Sequence, residues 1–112
     1  MTAWKKWEDD CARQLGGRRV LGNRGSGVPD SDEDTPLALE CKLGFNRYQL
    51  RDAWLEQARR NATASGKPWA IVQRPKHARR AVATVDWLFL VELCQRAGLV
   101  KEIDVRADGD AA

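Results

Sequence analysis

Leu37-Ala38-Leu39-Glu40-Cys41-Lys42 alternates with the period of an extended strand, so Leu37, Leu39 and Cys41 share one face and Ala38, Glu40 and Lys42 the other. Glu40 and Lys42 therefore project together. Downstream, residues 48–61 resume helical periodicity, with Leu50, Trp54, Ala58 and Asn61 as the stripe, until Gly66 ends it. Residues 68–73 and 81–85 are strand-like and joined by a basic turn, and Asp86 is placed to cap a helix over 87–97 that Gly98 closes. Upstream of the quoted strand, Glu33-Asp34-Thr35-Pro36 is a polar turn. Residues 28–32 and 18–22 read as two short strands about a glycine-rich turn, which implies a hairpin. Residues 4–15 set Trp4, Trp7, Cys11 and Leu15 at helical spacing before the Gly16-Gly17 stop. The predicted order is αβββαββα, an α/β domain with a central mixed sheet flanked by helices.

At 112 residues there is room for one core, expected over residues 1–103, followed by a disordered acidic tail over 104–112. With 43% hydrophobic and 31% charged residues the chain has globular composition, and no apolar run is long enough for a membrane span. Met1-Thr2-Ala3-Trp4-Lys5-Lys6 leads into no apolar export segment, so the cytoplasm is the expected compartment. Cys11, Cys41 and Cys94 are odd in number and widely spaced, which fits reduced thiols and excludes a zinc knuckle. Net charge is +3, and Arg74, Lys76, Arg79 and Arg80 crowd around His77. That cluster reads either as a solvated charged turn or as a surface for a polyanion.

Polar residues on apolar faces are the chemical signal. Glu8 lies on the stripe of the first helix, between Trp4 and Cys11, where an ionised carboxylate either reaches water at the boundary or serves a function. If residues 28–32 are extended, Asp30 and Asp32 share a side that can meet Glu40. Two such charges about 4 Å apart repel by roughly 4 kcal/mol at an effective dielectric of 20, so Asp30, Glu40 and Glu8 together call for a cation. Oxygen donors without histidine select Mg²⁺ or Mn²⁺. Gln57 falls on the stripe of the second helix, as a ligand-holding amide or as a satisfied core polar group.

In order and spacing, Lys5-x-x-Glu8, Val28-Pro29-Asp30, Leu39-Glu40-Cys41-Lys42 and Gln57-Ala58 resemble the PD-(D/E)XK nuclease superfamily. Within it the chain is most similar to small Holliday-junction-resolvase-like proteins of archaea, phages and their bacterial hosts, from Trp4 to about Cys94. The resemblance implies a restriction-endonuclease-like fold, with Asp30 and Glu40 as metal ligands and the Cys41 carbonyl as the third. It makes Glu8 a support for the metal or its water, sets Lys42 beside the attacking water or the scissile phosphate, and has Gln57 orient the same groups. Ser26, in Arg24-Gly25-Ser26-Gly27, resembles the small flexible loop that resolvases bring to DNA, and Arg24 is expected to contact DNA beside it. Asp32 and Asp34 stay open as alternatives to Asp30, which only the Pro-Asp pair selects.

The expected activity is that of a Mg²⁺-dependent DNA endonuclease, with a Holliday junction or other branched DNA as substrate, acting in a prokaryotic cell or phage-infected host. A homodimer is expected, because the last helix is apolar around much of its circumference and junction cleavage needs two active sites. The alternatives are a non-catalytic DNA-binding module of the same fold and a restriction- or repair-type nickase on duplex DNA. Gly22, Gly25 and Gly27 do not form a nucleotide-binding loop, so no nucleotide cofactor is expected. Trp4, Trp7 and Trp54 fall on core stripes, where packing rather than base stacking is expected.

Overall fold

A parallel pair of strands forms the centre of the molecule, and the helix between them makes it possible. In the computed structural model, which describes residues 2–20, 30–31 and 34–101, α1 (Ala3–Gln14) precedes β1 (Ala38–Leu43). α2 (Asp52–Ser65), β2 (Trp69–Arg74), β3 (Val82–Val85) and α3 (Trp87–Arg96) follow. β1 and β2 are parallel, with Glu40 opposite Ile71 and Lys42 opposite Gln73, and α2 is the crossover that parallel strands require. β3 returns antiparallel to β2 through a short hairpin, giving a mixed three-stranded sheet in the order β1-β2-β3.

The alternation of β1 divides the core in two. Leu39 with Ala70 packs under Cys11 and Ala12 of α1, and Leu37, Cys41, Val72 and Trp7 close around them. On the opposite face Trp69 and Ile71 pack under Trp54 and Ala58 of α2, with Phe45 edge-on to Trp54 at 4.9 Å. Glu40 and Lys42 belong to this second face. α1 ends where Gly16, at φ 88°, lets the Gly16 and Gly17 amides turn back to the Arg13 and Ala12 carbonyls, a conformation costly for any residue with a Cβ. α3 begins as expected, with the Asp86 carboxylate accepting from the Phe89 amide at 3.2 Å.

Three expectations need correction. The α1 stripe does not bury its ends: Trp4 is 52% exposed and Leu15 38%, because contact with the sheet covers only the middle of the helix. α2 starts at Asp52 rather than near Tyr48, because Gln73 takes both the amide and the carbonyl of Gln49 and holds that stretch outside the helix. Among the described residues, the hairpin expected over 18–32 is a single antiparallel bridge between Arg19 and Ser31, joined by the Val20 amide donating to the Asp30 carbonyl. Arg24, Ser26, Asp32 and the 104–112 tail lie outside the described residues.

Candidate active site

The outer edge of β1 is where the predicted carboxylates meet. Because β2 takes the even-numbered backbone groups of β1, from the Ala38 amide to the Gly44 amide, the odd-numbered groups face the other way. Residues 30 and 31 occupy that edge. The Asp30 amide donates to the Leu39 carbonyl, the Ser31 hydroxyl links the Leu37 carbonyl to the Leu39 amide, and the Asp30 carboxylate accepts from the Cys41 amide at 2.8 Å. In an extended residue the amide and carbonyl point to the same side, so the Cys41 carbonyl lies on the edge that carries Asp30. The Cys41 thiol packs instead on the α1 face, beside Cys11.

Glu40 reaches this edge from the α2 layer and Glu8 from α1, both buried, at 6% and 8% exposure. Burial lifts the Glu40 carboxyl from 4.5 to about 7, Asp30 adds to the rise, and Lys42 and the Asn61 hydrogen bond oppose it. Glu8 likewise rises to about 7, through burial first and the Asp30 charge second, against Arg19 and Lys42. Asp30 is raised by burial, although the Cys41 amide and the Lys42 charge hold it down. These mutual effects place the three acids within one another's field. Their cations are Lys42, at 3.7 Å from Glu40, and Arg19, at 3.6 Å from Glu8. Lys42 also lies over the Trp54 ring at 5.3 Å, which restricts where its ammonium can go.

Among the described residues no three acidic, histidine or cysteine side chains are grouped so as to enclose a metal ion. The smaller set of two carboxylates, Asp30 and Glu40, with the Cys41 carbonyl is what the strand edge brings together. Its donors are all oxygen, the chemistry that a hard divalent cation takes.

Gln57 does not reach the carboxylates. Its Nε2 donates to Asn61 Oδ1 at 3.0 Å, and Asn61, fully buried one turn later on α2, donates its own Nδ2 to Glu40 Oε1. Asn61 and Arg19 are site residues that the sequence reading did not select. A polar residue closing an apolar stripe one turn after Gln57 was the available signal for Asn61. Arg19 offered none, since its partner Glu8 lies on another element.

The basic turn caps the β2–β3 hairpin, where the Ala78 amide closes on the Pro75 carbonyl at 3.1 Å and His77 takes φ 64°. The Lys76 amide donates to Phe45 and the Tyr48 hydroxyl to the Arg80 carbonyl, which brace the turn against the body. Lys76, Arg79 and Arg80 are exposed, and none forms an ion pair with a described residue. Arg74 departs from the tip, since its guanidinium stacks 4.9 Å from the Trp7 ring centre.

Comparison with protein families, curated proteins and solved structures yields no match for this chain.

Proposed function

We propose that the chain is a Mg²⁺- or Mn²⁺-dependent DNA endonuclease of restriction-endonuclease-like fold, hydrolysing phosphodiesters in branched DNA as a Holliday junction resolvase does. The observation that carries this reading is the meeting of Glu8, Asp30 and Glu40, from three separate parts of the chain, at one strand edge. There burial raises the pKa of each, and the Asp30 charge raises Glu8 and Glu40 further. Perturbed carboxylates beside a lysine are costly to keep for structure alone and are characteristic of functional sites.

Asp30, Glu40 and the Cys41 carbonyl would hold the cation, which when bound supplies an acidified water and neutralises charge on the scissile phosphate. The Lys42 ammonium stands next to Glu40, where it can offset the negative charge that grows as water oxygen adds to phosphorus and the bond to the sugar oxygen breaks. Glu8, with a pKa of about 7, can accept a proton from the incoming water near neutral pH. Lys76, Arg79 and Arg80 on the hairpin tip would grip phosphates and so orient the DNA without reading its bases.

The test is incubation with four-way junctions, flaps, nicked and linear duplexes, in Mg²⁺ or Mn²⁺ against EDTA. Symmetric paired cuts near the junction crossover are expected with metal only. Cuts confined to linear duplex would replace the resolvase with a nickase. The ion pairs of Glu40 with Lys42 and Glu8 with Arg19 favour a second reading, in which the protein supplies its own counter-cations and acts as a DNA-binding module. Such a module would bind every member of the panel and cut none in either metal.

A further inference from the structure

We infer that Gln57 serves the site through Asn61 rather than by touching the scissile phosphate or the attacking water: the two amides together decide which oxygen of Glu40 is presented to Lys42. The inference rests on the nuclease reading for its purpose and on the hydrogen-bond geometry for its substance.

An ionised carboxylate only accepts, whereas an amide donates at one end and accepts at the other. Asn61 lies between such groups, with Nδ2 on Glu40 Oε1 and Oδ1 receiving the Gln57 Nε2 at 3.0 Å. Turning the Asn61 amide by half a revolution would set oxygen against oxygen at Glu40 and would force the Gln57 amide to turn as well, to avoid setting nitrogen against nitrogen. Glu40 thus sets the orientation of Asn61, Gln57 secures it by donating to Oδ1, and Asn61 occupies Oε1 of Glu40. The other oxygen, Oε2, is the one left facing Lys42 at 3.7 Å. Asn61 is fully buried and Gln57 half-buried at the neighbouring turn, so water does not compete freely for the inner bond. Ala58 and Trp54 pack the same helix face onto the sheet and hold α2 at this height above Glu40.

Because Asn61 has no exposed surface, the test is placed on Gln57. Gln57→Met keeps the length of the side chain and removes its polarity. Gln57→Glu keeps the shape and reverses the polarity, because a carboxylate can only accept and so competes with Glu40 for the Asn61 Nδ2. Two readouts serve, both at about pH 8.5, where Glu40 is ionised: the side-chain amide resonances of Asn61 by NMR in metal-free protein, and Mn²⁺ affinity by titration. Gln57→Glu should shift the Asn61 amide resonances strongly and lower Mn²⁺ affinity tenfold or more. Added negative charge by itself would raise that affinity, so the direction is diagnostic. Gln57→Met should leave the resonances near their parental positions, lower Mn²⁺ affinity less than threefold and slow cleavage only several-fold. Asn61 resonances unmoved by Gln57→Glu, or a Gln57→Met variant as impaired as Gln57→Glu, would overturn the inference and place Gln57 in direct contact with the reacting groups. If the parent binds no Mn²⁺ while the resonances respond as described, the amide relay stands and the nuclease reading fails.

Discussion

A carboxyl group that keeps its proton up to about pH 7 makes the metal-free fold sensitive to pH in a direction opposite to that of ordinary acids. Glu8 and Glu40 ionise near 4.5 when unfolded and near 7 when folded. Between those values the folded state binds the additional proton, so stability declines as pH rises through the window and levels off above it. The groups facing Glu40 are Asp30, Lys42, Asn61 and Glu8; those facing Glu8 are Asp30, Arg19, Lys42 and Lys5. Glu40→Gln removes its share of the effect while keeping the side-chain shape. In EDTA, the melting temperature of the parent relative to Glu40→Gln should therefore fall between about pH 5 and about pH 8. Mg²⁺ at the higher pH should raise the parent more than the variant, since only a folded state that holds the ion gains from it. The variant should lose cleavage by several orders of magnitude and keep its affinity for DNA. A melting difference that does not change with pH, or a variant that cuts at the parental rate, removes Glu40 from the reacting groups. Glu8 and Glu40 could be singled out in the sequence because each interrupts or opposes an apolar pattern, whereas Asp30 was singled out from Asp32 and Asp34 only by the Pro-Asp pair. Asn61 and Arg19 were not, because their roles depend on partners from other elements, which no periodicity within their own segments announces.

Among the elements, β1 and β2 lie within one residue of where alternation put them, since a period of two is reset by every side chain that faces the wrong layer. The start of α2 was less legible. Leu50 continues the helical stripe on paper, yet the Gln73 side chain satisfies the backbone of Gln49 and outweighs a turn of helix that would bury little. The β2–β3 hairpin, by contrast, follows the sequence reading, and its exposed cations bear on binding more than on folding. Arg79→Ala combined with Arg80→Ala should weaken binding to all DNA structures alike and flatten the log–log dependence on salt by about one to two units, leaving the melting temperature nearly unchanged. Filter binding or anisotropy across a salt series measures the slope. An unchanged slope would mean that the turn is only a solvated loop. Arg74→Ala belongs to a different class of change, because it strips the stacked cation from Trp7 and should lower stability as well.

At the scale of the whole molecule, α1 and α2 cover the two faces of the sheet while α3 buries none of its residues, with Trp87 71% and Leu88 74% exposed. Leu93, Leu99 and Val82 are exposed as well. A chain that leaves so much apolar area uncovered is expected to associate, and two active sites are what paired cleavage of a junction requires. The expected state is a twofold homodimer with part of α3 in or beside the interface. Sedimentation should show dimer at tens of micromolar, and Trp87→Glu with Leu88→Glu should yield folded monomer; a parent that sediments as monomer would remove the dimer and weaken the case for junction resolution. Within the chain, β2 is the strand bonded along both edges, whereas β1 has a strand partner on one edge and a carboxylate on part of the other. Amide hydrogen exchange should follow that arrangement, with Ala70 to Gln73 slowest in the protein. The Cys41 amide proton is sheltered by the Asp30 side chain instead of by a carbonyl, so its exchange rate reports on the position of a site carboxylate in solution. Asp30→Ala should speed exchange at Cys41 while the β2 amides keep their rates, which makes one backbone proton a gauge of whether the strand edge is assembled before any substrate arrives.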